Sequence, residues 1–217
     1  MLRWLILVVV LGIVLAGCSL IPGAGVGSGG ALTYDGAAEN GIAPGQMIPG
    51  TNIQFVRRTD EGAEVLIDGQ RAVKKVGDSL DWKGAVGGAA DVSMAQRIAL
   101  ITNDRLQTVG TVRVTIRGVN PVAGAAPGAG RYVYEVASGY TVRKGERVPG
   151  TTLVYVGKTD QGAQFSGTDD YPYRRVGDSI SWQGQLAPGV YLDTTMRVVA
   201  YTDDIVTLAG LATIIVL

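Results

Sequence analysis

Past its first eighteen residues the chain alternates apolar and polar side chains with a period of two. In 79–86, Leu80, Trp82 and Val86 alternate with Ser79, Asp81 and Lys83. In 111–117, Val112, Val114 and Ile116 alternate with Thr111, Arg113, Thr115 and Arg117. Such alternation predicts strands with one buried face. No later segment sustains a 3.6-residue apolar period. The pattern predicts strands near 32–36, 53–58, 62–67, 72–76, 79–86, 92–102 and 105–116. Asn103-Asp104 falls between two strand-like runs and predicts a tight hairpin turn.

The same pattern returns 100 residues later without a gap. Pro49-Gly50-Thr51 matches Pro149-Gly150-Thr151, and Val76-Gly77-Asp78-Ser79 matches Val176-Gly177-Asp178-Ser179. Trp82 and Gly84 match Trp182 and Gly184, and Arg97, Thr102, Asp104 and Gly110 match Arg197, Thr202, Asp204 and Gly210. This diagonal predicts two homologous domains, 32–117 and 132–217, joined by a Gly/Ala/Pro linker at 118–131 with few anchoring residues. The expected class is all-β. Seven short strands per copy suit an immunoglobulin-like sandwich or a small barrel, and the strand count favours the sandwich. No Cys-Trp-Cys pattern points to a true immunoglobulin domain.

The first eighteen residues read differently. Arg3 precedes an apolar run from Trp4 to Ala16, which is shorter than the ~20 residues needed to span a bilayer but suits a signal-peptide core. The run closes on Leu15-Ala16-Gly17-Cys18. This resembles the lipobox of bacterial lipoproteins: an aliphatic residue, two small residues, then cysteine. The resemblance implies a signal peptide at 1–17, cleavage before Cys18, diacylation of the Cys18 thiol and often acylation of the new amino terminus. It implies an extracytoplasmic protein anchored to the bacterial cell membrane or outer membrane. In enterobacteria-like members of that family, Asp after the cysteine favours inner-membrane retention, and Ser19 is compatible with the outer membrane. Residues 18–31 then comprise the lipidated cysteine and a tether rich in Gly, Ala and Ser, with a flexible reach of ~20 Å.

Composition removes several chemistries. Lys plus Arg and Asp plus Glu are both 19, so no basic excess points to nucleic acid. There is no histidine and one cysteine, which excludes Ser-His-Asp and Cys-His catalytic sets, histidine or multi-cysteine zinc sites and an internal disulfide. Gly25-Val26-Gly27-Ser28-Gly29-Gly30 spells GxGxxG, but no βαβ unit surrounds it, so no dinucleotide site is expected. No cofactor is expected.

Gly77-Asp78-Ser79-Leu80 resembles the nucleophile block of GDSL esterases and lipases, in which the serine depends on a histidine base. Without one, Ser79 has no such activation, and the block reads as a turn leading into a strand. Asp60, Asp78 and Asp104 recur 100 residues on. They are candidates for a calcium site or a carboxylate hydrolase, set against ordinary turn residues. Trp82 and Trp182, in phase with Leu80 and Ile180, are expected in the core rather than as glycan platforms. Tyr171 and Tyr173 stand where the first copy has Arg71 and Val73, and loop tyrosines are candidate contacts. In the last strand Leu211, Ile215 and Leu217 replace Thr111, Thr115 and Arg117, which predicts an apolar outer stripe.

The expectation is a non-catalytic, lipid-anchored envelope protein that binds or scaffolds. Its partners are membrane lipid through Cys18 and a protein or a second copy. A carbohydrate-binding surface protein and a carboxylate-dependent hydrolase are the alternatives.

Overall fold

The structure is a computed structural model that describes residues 25–26 and 30–217; the expected signal peptide, Cys18 and most of the expected tether lie outside the described residues. The described residues form sixteen strands in order: β1 Gly25–Val26, β2 Leu32–Ile42, β3 Ile53–Thr59, β4 Gly62–Ile67, β5 Gln70–Lys74, β6 Trp82–Val86, β7 Ala90–Ile101, β8 Leu106–Ile116, β9 Val122–Ala123, β10 Tyr132–Arg143, β11 Val154–Thr159, β12 Gly162–Ser166, β13 Tyr173–Arg174, β14 Ser179–Ala187, β15 Val190–Tyr201 and β16 Ile205–Val216. There is no helix among the described residues.

The protein is all-β and every strand pair is antiparallel. Two five-stranded sheets have the orders β1-β2-β8-β7-β6 and β10-β16-β15-β14-β9, and two three-stranded meanders are β3-β4-β5 and β11-β12-β13. Pairings in the first half recur 100 residues on. Leu32 pairs with Ile116 as Tyr132 pairs with Val216, and the irregularity between Ile98 and Leu100 returns between Val198 and Ala200. Turns recur in the same detail. The Thr51 hydroxyl donates to the Ile48 carbonyl and accepts from the Ile53 amide at 2.9 and 3.0 Å, and Thr151 does the same with Val148 and Leu153 at 2.9 and 3.0 Å. Gly50 and Gly150 precede them at φ 77° and 76°, the left-handed region that glycine enters without a steric penalty.

Alternation along the long strands explains the layering. Leu32 and Tyr34 of β2, Val92 and Met94 of β7, and Val112, Val114 and Ile116 of β8 are buried on one face. Tyr134 and Val136 of β10, Leu192 and Met196 of β15, and Ala212, Ile214 and Val216 of β16 are buried on the matching face. These two faces meet in a β-sandwich. A β-carbon on Gly36 would stand 2.6 Å from Val136 Cγ1, and one on Gly87 2.8 Å from Val216 Cγ1. The contact is reciprocal. Tyr34 reaches the Gly150 turn beside Leu32 and Leu192, and Tyr134 reaches the Gly50 turn. One half's tyrosine in the other half's glycine turn, twice over, is the signature of a self-complementary interface. The buried apolar residues of both halves form one connected core, to which the meanders add Ile53, Phe55 and Val65, and Leu153, Tyr155 and Phe165.

The structure departs from the sequence expectation in several places. Ser79 makes only an isolated bridge to Arg97, and β6 begins at Trp82. The Asp81 carboxylate takes the Gln96 amide at 3.2 Å, an example of a short polar side chain competing with the ladder. With Ser181 in the matching place, β14 runs unbroken from Ser179. The fifth strand of the second half shrinks to Tyr173–Arg174, because Pro172 before it has no amide to give a ladder. The linker is anchored: β9 pairs with β14, placing Ala123 opposite Gly184 and Val122 opposite Gln185. Within the tether, Gly25–Val26 pairs with β2.

Candidate functional site

The outer face of the second large sheet carries the predicted stripe, and the structure divides it. Leu211 is 48% exposed and Leu217 55%, whereas Ile215 is 6% exposed. Ile215 pairs across the strands with Val133 and Tyr191. The linker passes over it, since a β-carbon on Gly130 would stand 2.5 Å from Ile215 Cγ2. Part of the apolar stripe is thus an inner surface for the chain's own linker. The exposed remainder is Leu211, Leu217 and the neighbouring Val133. The first half's outer face is polar in the same places. Arg113 pairs with Asp35 at 2.5 Å and Arg117 with Asp91 at 3.3 Å.

Tyr171 is 59% exposed and meets Tyr173 edge-on, with ring centroids 5.3 Å apart at 63°. The rings are not coplanar and form an edge-to-face pair in which Tyr171 is exposed and Tyr173 half-buried. Arg174, largely buried, builds the loop that carries them. It donates to the carbonyls of Tyr171, Tyr173 and Ser179 and to the Asp170 carboxylate, the last at 2.7 Å. Asp169, Asp170, Arg174 and Trp182 line an open cleft of about 530 Å³ shared with linker residues Ala123 and Gly124. Trp182 is 5% exposed and its indole N–H donates to the Thr152 hydroxyl at 2.8 Å, so its ring face is not a platform. Trp82 is half-buried against the core.

The repeated aspartates are turn residues. Asp78 and Asp178 accept from the amides of Lys75 and Arg175 at 2.8 and 2.7 Å. Asp60-Glu61 and Asp160-Gln161 form the tips between β3 and β4 and between β11 and β12. Asp104 accepts from the Thr102 hydroxyl at 2.6 Å, which holds its carboxyl below the usual range. Asp203, gripped by Lys144 at 2.9 Å, is lowered for the same kind of reason. Among the described residues no three metal-ligating side chains converge. Ser79 lies between the Asp78 turn and β6, and its backbone makes only an isolated bridge to Arg97.

Two features escaped the sequence reading. Glu64, nearly buried, accepts from Arg57 at 2.7 Å and from Arg71, and the Arg57 hydrogen bond holds its carboxyl below the usual range. Between the halves, the hydroxyls of Tyr34, Tyr134, Tyr140 and Ser138 are buried without a protein partner at hydrogen-bonding geometry. Burial raises the Tyr34, Tyr134 and Tyr140 hydroxyls above their ordinary value. Tyr134 also borders an open groove of about 360 Å³ whose rim carries Glu39 and Glu135. Glu39 accepts from the Gln107 amide. The repeat of Tyr34 at Tyr134, beside the matched Gly50 and Gly150, was the signal available in the sequence.

No protein-family model, curated protein or solved structure matches the chain.

Proposed function

We propose that this chain is an exported lipoprotein, acylated at Cys18, whose β-sandwich body acts as a non-catalytic binding or scaffolding module at the bacterial cell envelope. The observation that carries the reading is the apolar run of Trp4–Ala16 closing on Leu15-Ala16-Gly17-Cys18. Two acyl chains bind a bilayer stably where one is marginal. The body supports a binding role because the side chains with candidate chemistry have structural work. Asp78 and Asp178 cap turns, Arg174 organises a loop and Trp182 fills the core. The exposed surface of Leu211, Leu217 and Val133, with Tyr171 and Tyr173 on their loop, is the contact area for a protein partner or a second copy.

Metabolic labelling with a palmitate analogue tests the anchor. The native chain is expected to take up label and Cys18→Ala to take up none, and equal labelling of the two would overturn it. Affinity capture from native membranes with the anchor intact tests the binding role. A partner whose recovery falls at least tenfold with Leu211→Asp/Leu217→Asp supports it, and recovery indifferent to these changes counts against that surface.

A further inference from the structure

One edge of the second large sheet is covered by the chain, while the matching edge of the first is bare. The linker strand β9 closes the outer side of β14, with Ala123 opposite Gly184 and the Gly124 amide donating to the Gln183 carbonyl at 3.1 Å. Among the described residues β6 is the last strand of its sheet, and Gly25–Val26 lies at the opposite edge, against β2. Burial follows the cover. Gly184 is buried and Gln185 half-buried, whereas Gly84 is half-buried and Ala85 exposed. An unpaired edge presents its free amides and carbonyls to any extended segment.

Hydrogen-bond phase and side-chain size define what fits there. The Leu80 amide donates to the Gln96 carbonyl of β7 at 2.9 Å. Bonding alternates along an antiparallel pair, so Trp82 and Gly84 face β7 while Lys83 and Ala85 point their amides and carbonyls outward. The residue opposite the glycine must be small. A β-carbon on Gly184 would stand 2.3 Å from the Val122 carbonyl oxygen and 2.5 Å from the Trp182 ring, and the Trp82 ring lies over Gly84 at the same 2.5 Å. The linker answers with Ala123. β6 meets both demands by itself, because Gly84 is its midpoint and Lys83 and Ala85 flank it.

We propose that β6 is a self-association edge, to which β6 of a second molecule of this chain adds antiparallel, with Gly84 opposite Gly84 and Lys83 opposite Ala85. The outward amides and carbonyls of Lys83 and Ala85 then bond to each other across a two-fold axis, and the two large sheets become one. Such an interface is closed and ends at a dimer. Side chains select this register over its neighbours. Sliding by two residues in one direction sets Val86 against Gly84. Sliding in the other sets Trp82 against Gly84 and Lys83 against Lys83, a like-charge pair that repels. In the proposed register each lysine lies beside the small Ala85 of its partner, and Asp91 stands behind that alanine on β7. The ammonium thus reaches across two strand spacings, about 10 Å, toward a carboxylate. The pairing depends neither on acylation nor on the Leu211 and Leu217 surface, which belongs to the other large sheet.

Hydrogen exchange on the full-length chain in detergent tests the proposal. Mass action predicts that protection of the Lys83 and Ala85 amides rises about tenfold when the protein concentration rises about a hundredfold, with the Gly84 amide, which faces β7, as internal reference. Protection independent of concentration would overturn the proposal by giving the edge to the chain itself, and no protection at any concentration would overturn it as well. Two substitutions at the exposed Ala85 give opposite signs. Ala85→Lys faces Lys83 with a like charge and is expected to weaken the dimer about fivefold, and Ala85→Glu to tighten it about threefold. Equal dimerisation of both variants and the native chain would refute the register. Leu211→Asp/Leu217→Asp is expected to leave the concentration dependence intact, and its loss would move self-association to that surface. Cys18→Ala is expected to dimerise as the native chain does, and failure to do so would tie association to the anchor instead.

Discussion

The two halves share pairings and turns but fill matching interior positions differently. In the first half Gln96 is fully buried; it accepts from Thr108 at 3.0 Å and Asn40 at 3.4 Å and donates to the Thr111 carbonyl at 3.4 Å. In the second half the corresponding positions are Met196, Leu208 and Tyr140, all buried. One backbone therefore accepts either a polar network or an apolar cluster. What it requires is internal consistency, since a buried amide costs little when its partners are present and much when they are absent. The outer faces differ by the same logic. The half crossed by the linker places Ile215 beneath it, and the half with ion pairs has Thr115 there.

That comparison can be broken hardest with alkali. The hydroxyls of Tyr34, Tyr134 and Tyr140 are raised by burial, so the folded protein holds them neutral where the unfolded chain ionises near pH 10. Their contribution is complete below about pH 10 and is lost as pH climbs toward the folded values. The urea midpoint should fall steeply across that window. It should fall much less in Tyr34→Phe/Tyr134→Phe/Tyr140→Phe, and identical pH profiles would show that the interface does not bury these groups.

Next in size is the reciprocal turn. Gly50→Ala and Gly150→Ala each force a left-handed backbone and drive a methyl into Tyr134 or Tyr34. Each should cost about 2–4 kcal/mol in urea denaturation. A large difference between the two would break the symmetry of the interface. Exchanging the interiors is subtler. Met196→Gln buries an amide among apolar neighbours and should cost about 2–3 kcal/mol, whereas Gln96→Met/Thr108→Leu/Asn40→Tyr exchanges the whole side-chain network for the second half's residues and should stay within about 1 kcal/mol. The smallest effects belong to the outer faces. Ile215→Thr should cost about 1–2 kcal/mol because the linker covers it, while Leu211→Thr and Thr115→Ile should each fall within about 0.5 kcal/mol. Equal costs at Ile215 and Leu211 would mean that the linker does not pack there.

Much of this architecture was legible along the chain. Alternation placed β3, β4, β7 and β8 within a few residues of their observed ends, because a half-buried strand must alternate. The repeated Asp78 and Asp178 were readable as turns, since their side chains bond three residues back within one local segment. The candidate contact surface was only partly legible. Its apolar character was visible, but the covering of Ile215 comes from Gly130, far away in sequence. The shortening of β6 was hidden for a similar reason, because the Asp81 carboxylate competes for an amide supplied by another strand.

By itself the sequence determined the all-β class, the strand periodicity and the matched turns, along with the absence of any histidine-dependent chemistry. These are local or compositional properties, fixed by which side chains can alternate across a pleat or occupy a left-handed turn. Tertiary structure alone decided that the large sheets of the two halves close on each other, with Tyr34 in the Gly150 turn and Tyr134 in the Gly50 turn. It also decided that the linker becomes a strand. An apolar sheet face and an open edge each state a need for cover, and only the folded arrangement of the whole chain settles which surface supplies it.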